Sequence, residues 1–159
     1  MTGDAELFTL VRERLFTAVI GDVMDQAGLT RQFLPPEIRA LDPERMLVGR
    51  AMPVLEADCA SEVLGHSGAT DAFGLMFRAL DQLQPGEVYI ARLGFPVFSM
   101  GSYAQDQRLR GRVVDFRCAI EFANGCRVMP GDLIVGDIDG VLTVPAAHVA
   151  DILAAAVAK

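Results

Sequence analysis

The sequence predicts one α/β domain whose sheet is mixed or closed rather than doubly wound. Apolar residues recur at helical spacing near both ends of the chain, over residues 5–28 and 146–158. Between residues 112 and 145, short apolar runs alternate with turn dipeptides, and strands that follow one another so closely pair antiparallel. The length of 159 residues and the 52% hydrophobic content fit a single domain, residues 1–159, with a substantial core.

The N-terminal part predicts two helices and a loop. The spacing of leucine and valine predicts a helix over residues 5–15. Thr17 is the expected N-cap of a second helix, which ends at Gly28. Prolines interrupt residues 31–46, so an ordered loop is expected there.

The middle of the chain predicts a strand and then a helix. Residues 47–58 form the expected strand, in which Gly49 and Pro53 mark an edge or a bulge. A glycine-rich loop, "LGHSGATD", leads to a helix over residues 71–83, and Asp71 is first of all a capping residue for it. The same loop can present backbone N–H groups to an anionic ligand at the start of that helix.

Turn dipeptides divide the C-terminal half into short strands. Asn124-Gly125 and Asp139-Gly140 are both typical of type I′ hairpins, whose two central residues need positive φ. Pro130-Gly131 supplies a further turn, and the alanine-rich residues 146–158 predict a closing helix.

Charge and cysteine usage exclude several classes of partner. The formal net charge of -7 argues against nucleic-acid binding, which needs clustered Lys and Arg. The alternating Arg108, Arg110 and Arg112 indicate one solvated face of a strand. No apolar span reaches membrane-helix length and no secretory segment precedes the cysteines, so a cytoplasmic, reduced protein with small buried thiols is expected.

Carboxylates are the remaining candidates for chemistry, because the two histidines lie far apart in the sequence and argue against a His-rich zinc site. Asp22 and Asp25 lie three apart on one helix face, as an anchor for Mg²⁺ or as a solvated polar face. Asp137 and Asp139 in "GDIDG" are similar to a fragment of a calcium loop, but turn geometry explains them better.

Five segments together resemble the RraA-like family, which includes the regulator of ribonuclease activity A and the 4-hydroxy-4-methyl-2-oxoglutarate aldolases. They cover most of the chain in the family's order: "TAVIGDVMDQAG", "FRALDQLQPGEVYIA", "FPVFS", "RVVDFR" and "PGDLIVGDIDGVLTVP". The resemblance implies an α/β/β/α swivelling-domain sandwich with a mixed sheet, assembled as a homotrimer. It also implies a divalent metal, usually Mg²⁺, that holds a small 2-oxo acid while an arginine stabilises the developing enolate.

The chain departs from the family between "GEVYIA" and "FPVFS". There the family has a glycine-rich loop, a helix, a strand and an Arg-Asp pair, whereas here only Arg92-Leu93-Gly94 lies between Ala91 and Phe95. One central strand–helix–strand unit is therefore expected to be missing, and the sequence contains no Arg-Asp dipeptide elsewhere. Arg92 is the candidate substitute cation and Asp22 the candidate metal anchor. The candidate pocket residues are His66, Ser67, Asp71 and Asp106.

Two functions remain open on the sequence. The resemblance implies a metal-dependent aldolase or oxaloacetate decarboxylase that releases pyruvate. The missing Arg-Asp pair favours instead a catalytically silent member, a binding or regulatory module whose acidic surface suits basic protein segments.

Overall fold

A computed structural model describes residues 3–58, 74–89, 98–99 and 111–159. The helices are α1 (Asp4–Arg14), α2 (Thr17–Gln26), α3 (Met76–Asp81) and α4 (Val149–Ala158). The strands are β1 (Arg39–Ala40), β2 (Leu47–Met52), β3 (Val54–Asp58), β4 (Glu87–Tyr89), β5 (Phe98–Ser99), β6 (Gly111–Phe116), β7 (Ile120–Glu121), β8 (Arg127–Val128), β9 (Leu133–Asp137) and β10 (Gly140–Val144). No helix in these residues is long and apolar enough to span a membrane.

The central sheet has four strands in the order β10-β9-β2-β4. β2 and β4 are parallel, with Met52 opposite Tyr89, while β9 pairs antiparallel with both β2 and β10. The sheet is therefore mixed, as predicted, and the protein has a mixed α/β fold.

Pro53 divides the strand predicted over residues 47–58 into β2 and β3. Proline has no N–H to donate to a ladder, and after it the chain leaves the central sheet to pair antiparallel with β6. This β3–β6 pair, called the ribbon below, has its irregular register between Leu55 and Glu56 rather than at Gly49 or Pro53.

The two faces of the central sheet bury separate apolar clusters. Along β9, Leu133 and Val135 face the cluster formed with the helices, and Ile134 faces the other one, because successive side chains point to opposite faces. The first cluster contains residues of α1, α2 and α4: Phe8, Val11, Ile20, Val23, Met24, Val149, Ile152, Leu153 and Ala156. The second contains Leu34, Ile38, Cys126 and Val128 from the loop before β1 and from the β7–β8 hairpin.

Helix α2 begins differently from the prediction. Thr17 is its first helical residue, and Phe16 occupies the N-cap position without a side-chain cap. Asp137, at the end of β9, supplies the missing acceptors: its Oδ2 accepts the Thr17 backbone N–H and its Oδ1 accepts the Thr17 hydroxyl, both at 2.7 Å. The carboxylate thus satisfies an N-terminal N–H that a helix leaves unpaired.

Both predicted hairpins exist, but neither has the predicted type I′ turn. In the first, Phe122 and Cys126 are hydrogen-bonded and the Gly125 N–H donates to Phe122 O, so the loop has three residues with Gly125 at φ +80°. In the second, Asp137 pairs with Gly140, so Ile138 and Asp139 are the central residues and neither has positive φ. Gly at the third loop position is the established alternative for a three-residue hairpin loop.

Three other predicted boundaries shift. The loop predicted over residues 31–46 contains β1, which pairs with β5. The described part of the helix predicted over 71–83 is only α3, whose one fully buried residue is Ala79. The closing helix starts with a 3-10 turn at Ala146–His148 before α4.

Candidate functional site

Asp22, the candidate metal anchor, is an exposed residue of α2 that already has a cationic partner. Its Oδ2 lies 2.7 Å from Lys159 Nζ, and the two side chains are 63% and 40% exposed. Asp25 on the same helix is exposed as well. No group of three or more His, Cys, Asp or Glu side chains capable of holding a metal occurs among the residues that the structure describes. These residues therefore do not build a Mg²⁺ site by themselves.

The other candidates lie outside the described residues: Arg92, His66, Ser67, Asp71 and Asp106. So does the expected deletion near residues 92–95. The structure does describe where the segments that carry them join the fold. These junctions decide which candidates the topology brings into one region.

Two of the three segments join the ribbon at the same end. Asp58, the last residue of β3, is paired with Gly111, the first residue of β6. Segment 59–73 therefore leaves, and segment 100–110 arrives, at directly opposed positions. The first segment returns at Gly74, which forms a parallel bridge with Val113 of β6. His66, Ser67 and Asp71 are thus carried by a segment that begins and ends beside the entry point of the one that carries Asp106.

Gly74 adopts φ +60°, a conformation that favours glycine. A Cβ built at Gly74 would come to 2.3 Å from Val113 O and 3.2 Å from the Arg112 Cβ. The Leu75 N–H donates to the Val113 O at 2.8 Å. The chain returning from segment 59–73 therefore packs directly against β6, and a larger residue than glycine does not fit there.

The third segment, residues 90–97, begins after Tyr89 at the end of β4. The Tyr89 hydroxyl is buried and has no hydrogen-bond partner. Burial and, secondarily, the carboxylate of Glu56 in the middle of β3 raise the pKa of Tyr89. Arg92 is three residues further on, and three residues of extended chain span about 10 Å. The segment that carries Arg92 therefore begins at a residue whose pKa is affected by Glu56 of the ribbon.

An ion pair fixes the opposite end of the ribbon to β4. Arg117, just beyond β6, contacts Glu87 through Nη1–Oε1 at 2.5 Å and Nη2–Oε2 at 2.8 Å. This bidentate hydrogen bond lowers the pKa of Glu87. The Arg117 backbone N–H also donates to Pro53 O at 2.8 Å. The pair orients the ribbon against the strand from which segment 90–97 departs.

Arg112 corrects the interpretation of the arginine trio as one solvated strand face. Arg108 and Arg110 lie outside the described residues, but Arg112 is half-buried on β6. Its Nε is shielded from solvent and makes no hydrogen bond. The sequence contained no signal for this, since an alternation of arginine and apolar residues is equally typical of a solvated edge. Gly74, 38 positions earlier in the numbering, lies beside the Arg112 Cβ.

One family model matches part of the chain. A sequence model described as RraA-like, Aldolase/RraA, matches residues 89–143. That range begins at the last residue of β4 and runs into β10. No protein of curated function matches the sequence.

Three solved structures have similar folds. One, described as novel cellulases from microbes associated with the gut ecosystem, has a TM-score of 0.82 at 21% identity, covering 98% of this chain and 84% of the other. An uncharacterised protein from Pseudomonas syringae pv. tomato has a TM-score of 0.78 at 18% identity, covering 97% and 83%. Streptomyces coelicolor RraAS2, an unusual member of the RNase ES inhibitor RraA protein family, has a TM-score of 0.73 at 18% identity, covering 98% and 92%. At these identities the likeness establishes the fold.

Proposed function

Because the chain is an RraA-like protein, we propose that it cleaves a carbon–carbon bond in a small 2-oxo acid and releases pyruvate, as an aldolase or as an oxaloacetate decarboxylase. The observation that carries the proposal is the family match over residues 89–143. This range contains the two candidates Arg92 and Asp106 as well as β6, the strand beside which the other candidate segments join the fold.

The chain's own residues divide the work as follows. Arg92 neutralises the negative charge that develops on the substrate oxygen as the bond breaks, because a fixed cation stabilises a charge that appears in the transition state. His66, Ser67, Asp71 and Asp106 line the pocket. Asp22 is the proposed carboxylate ligand of a divalent metal, Mg²⁺, which when bound would add positive charge beside the substrate's carbonyl and carboxylate oxygens.

Asp22 can bind a metal only if its ion pair with Lys159 breaks. Exposed ion pairs contribute about 0–1 kcal/mol, so the contact with Lys159 is a weak competitor for the carboxylate. The remaining ligands of the metal would have to come from the substrate, from water or from residues outside the described ranges.

A homotrimer in a reducing cytoplasm completes the proposal. The two cysteines in the described residues, Cys118 and Cys126, are free thiols. Burial and the nearby Asp132 raise the pKa of Cys126 to about 11. A thiol so rarely ionised is a poor nucleophile and suits a structural role in a reducing compartment.

A second candidate is a catalytically silent binding or regulatory module that acts through protein contacts. Two observations favour it: the sequence has no Arg-Asp dipeptide, and Asp22 is bonded to a lysine. The net charge of -7 suits basic segments of a partner.

Pyruvate release from oxaloacetate and from 4-hydroxy-4-methyl-2-oxoglutarate separates the two functions. Mg²⁺ is titrated, EDTA is the negative control, and a protein-free blank at the same Mg²⁺ concentration subtracts cleavage by the metal itself. Turnover that needs both protein and metal is expected. A folded protein without turnover on either substrate would contradict the enzyme and leave the binding module.

A further inference from the structure

We propose that Arg112 binds the carboxylate group of the substrate, a role that rests on the proposed function but concerns a residue outside the family's Arg-Asp pair. The substrate carboxylate is an anion that a guanidinium group can bind in addition to the proposed metal. In the structure, Arg112 is a half-buried arginine whose Nε is shielded from water and makes no hydrogen bond. It lies beside the junctions of the segments that carry the candidate pocket residues.

The first argument comes from comparing Arg112 with Arg50. Among the described residues these are the two half-buried arginines. Arg50 donates to Asp4 Oδ1 from Nε at 3.1 Å and from Nη2 at 2.6 Å, and Nη1 reaches Gly131 O at 3.4 Å. Arg112 has no ion pair or hydrogen bond within the described chain, and its Nε is shielded from water. Leaving a shielded N–H donor without an acceptor is unfavourable, so a ligand that accepts from this side chain would be stabilised there.

The second argument is location. Arg112 adjoins Gly111, which is paired with Asp58 where segment 59–73 begins. Its Cβ also lies against Gly74, where that segment ends. The guanidinium group therefore belongs to the same end of the ribbon as the junctions of the segments that carry His66, Ser67, Asp71 and Asp106.

The third argument is chemical. A guanidinium group is planar, always charged and matched to a carboxylate through two parallel hydrogen bonds. Partial burial lowers the effective dielectric constant around it and strengthens its attraction for an anion. A lysine at this position keeps the positive charge but cannot form the two parallel hydrogen bonds. The affinity for a carboxylate therefore distinguishes arginine from lysine.

The experiment measures binding of oxalate, a planar dicarboxylate of the size of a small 2-oxo acid, by calorimetry in the presence of Mg²⁺. The proteins are the wild type, Arg112→Gln, Arg112→Lys and the control Arg127→Gln. Arg127 is a matched control because it is an exposed strand arginine with no ion pair in the described chain. KM and kcat for oxaloacetate and the thermal midpoint are measured on the same proteins.

We expect Arg112→Gln to weaken oxalate binding at least about tenfold, the loss typical of one charge-assisted hydrogen bond. Arg112→Lys should lie between it and the wild type, and Arg127→Gln should bind normally. KM should rise with the oxalate dissociation constant. The thermal midpoint of Arg112→Gln should be unchanged or higher, because an unpaired half-buried charge has been removed.

Three results overturn the assignment. Equal oxalate affinity in Arg112→Gln and wild type removes Arg112 from the site while leaving the proposed function intact. A strong drop in the thermal midpoint of Arg112→Gln without ligand shows that an internal carboxylate already pairs with the guanidinium. A wild type that binds no oxalate overturns the assignment whatever its activity. Oxalate binding that depends on Arg112 in a protein without turnover contradicts only the enzyme.

Discussion

The central sheet and the ribbon differ in whether their shielded polar groups have hydrogen-bond partners. In the sheet, the carboxylate of Asp137 accepts hydrogen bonds from Thr17 and Asp139. The buried Asp132 accepts the backbone N–H groups of Met129 and Ala146. On the ribbon, the Arg112 Nε is shielded from water without a partner, and so is the Tyr89 hydroxyl at the end of β4, the sheet strand to which the Arg117–Glu87 pair ties the ribbon.

The contrast is between the sheet's carboxylates and Arg112, because two oxygens of the sheet region, on Gln32 and Thr143, are also buried without a partner. In the sheet, Asp137 joins the end of β9 to α2, 120 positions earlier in the numbering, and the buried Asp132 joins the start of β9 to Met129 and Ala146. At the ribbon, the unsatisfied groups lie where the candidate segments join the fold. Satisfied buried polar groups stabilise a fold, whereas unsatisfied ones reduce stability and are retained where a ligand uses them. The sheet is thus the scaffold and the ribbon the proposed site.

The largest expected effect is in the sheet. Asp137→Ala removes three hydrogen bonds and leaves the fully buried Thr17 without acceptors. We expect a loss of about 3 kcal/mol in the free energy of unfolding, measured by urea denaturation. Asp139→Ala is the matched control, because Asp139 is exposed in the same turn, and it should change stability by less than about 0.5 kcal/mol. Equal losses in the two variants would show that the Thr17 contact is not stabilising.

This contact also shows what the sequence was able to predict. The apolar period of α2 and the presence of a hairpin at "GDIDG" follow from local pattern, and both are confirmed. The turn type was wrong, because β9 extends to Asp137, whose carboxylate is held by Thr17, 120 positions earlier in the numbering. The preference of Asp-Gly for type I′ turns considers only neighbouring residues and cannot take the contact with Thr17 into account.

The candidate site was predictable only in part, for the same reason. The RraA-like model that matches residues 89–143 supports the resemblance, and the residues that it selected remain predictions except for the position of Asp22. Arg112 was missed because its neighbours, Ala57 on β3 and Gly74, are distant in sequence and its own segment does not encode them.

A second variant tests the hairpin that covers the sheet's other face. Gly125→Val places a β-branched side chain at φ +80° and should cost about 1–2 kcal/mol, because L-residues with such side chains resist the left-handed region. Ala123→Val, exposed in the same loop without positive φ, is the control and should cost much less. Thermal unfolding measures both. An unchanged midpoint for Gly125→Val would contradict the three-residue loop.

Beside the ribbon, a substitution is expected to raise the free energy of unfolding instead of lowering it. Tyr89→Phe removes a buried hydroxyl that has no partner and should raise stability by up to about 1 kcal/mol. Because the folded pKa of Tyr89 lies above its unfolded value of 10.0, the wild type should lose additional stability as pH rises from the unfolded value through the folded one. The variant should lack that loss. Urea denaturation at pH 8 and above pH 10 tests both expectations. A destabilised variant would mean that the hydroxyl has a partner, and would weaken the contrast between the regions.

The smallest stability effect is expected at Asp22, on the scaffold. Asp22→Asn breaks the exposed contact with Lys159 and should change the free energy of unfolding by less than about 0.5 kcal/mol. If Asp22 is a metal ligand, Mg²⁺ affinity measured by calorimetry should fall, while Asp25→Asn on the same helix should have less effect. Lys159→Gln sharpens the test: removing the competing ammonium should increase Mg²⁺ affinity if the carboxylate serves the metal. Equal affinities in all four proteins would remove Asp22 from the metal site.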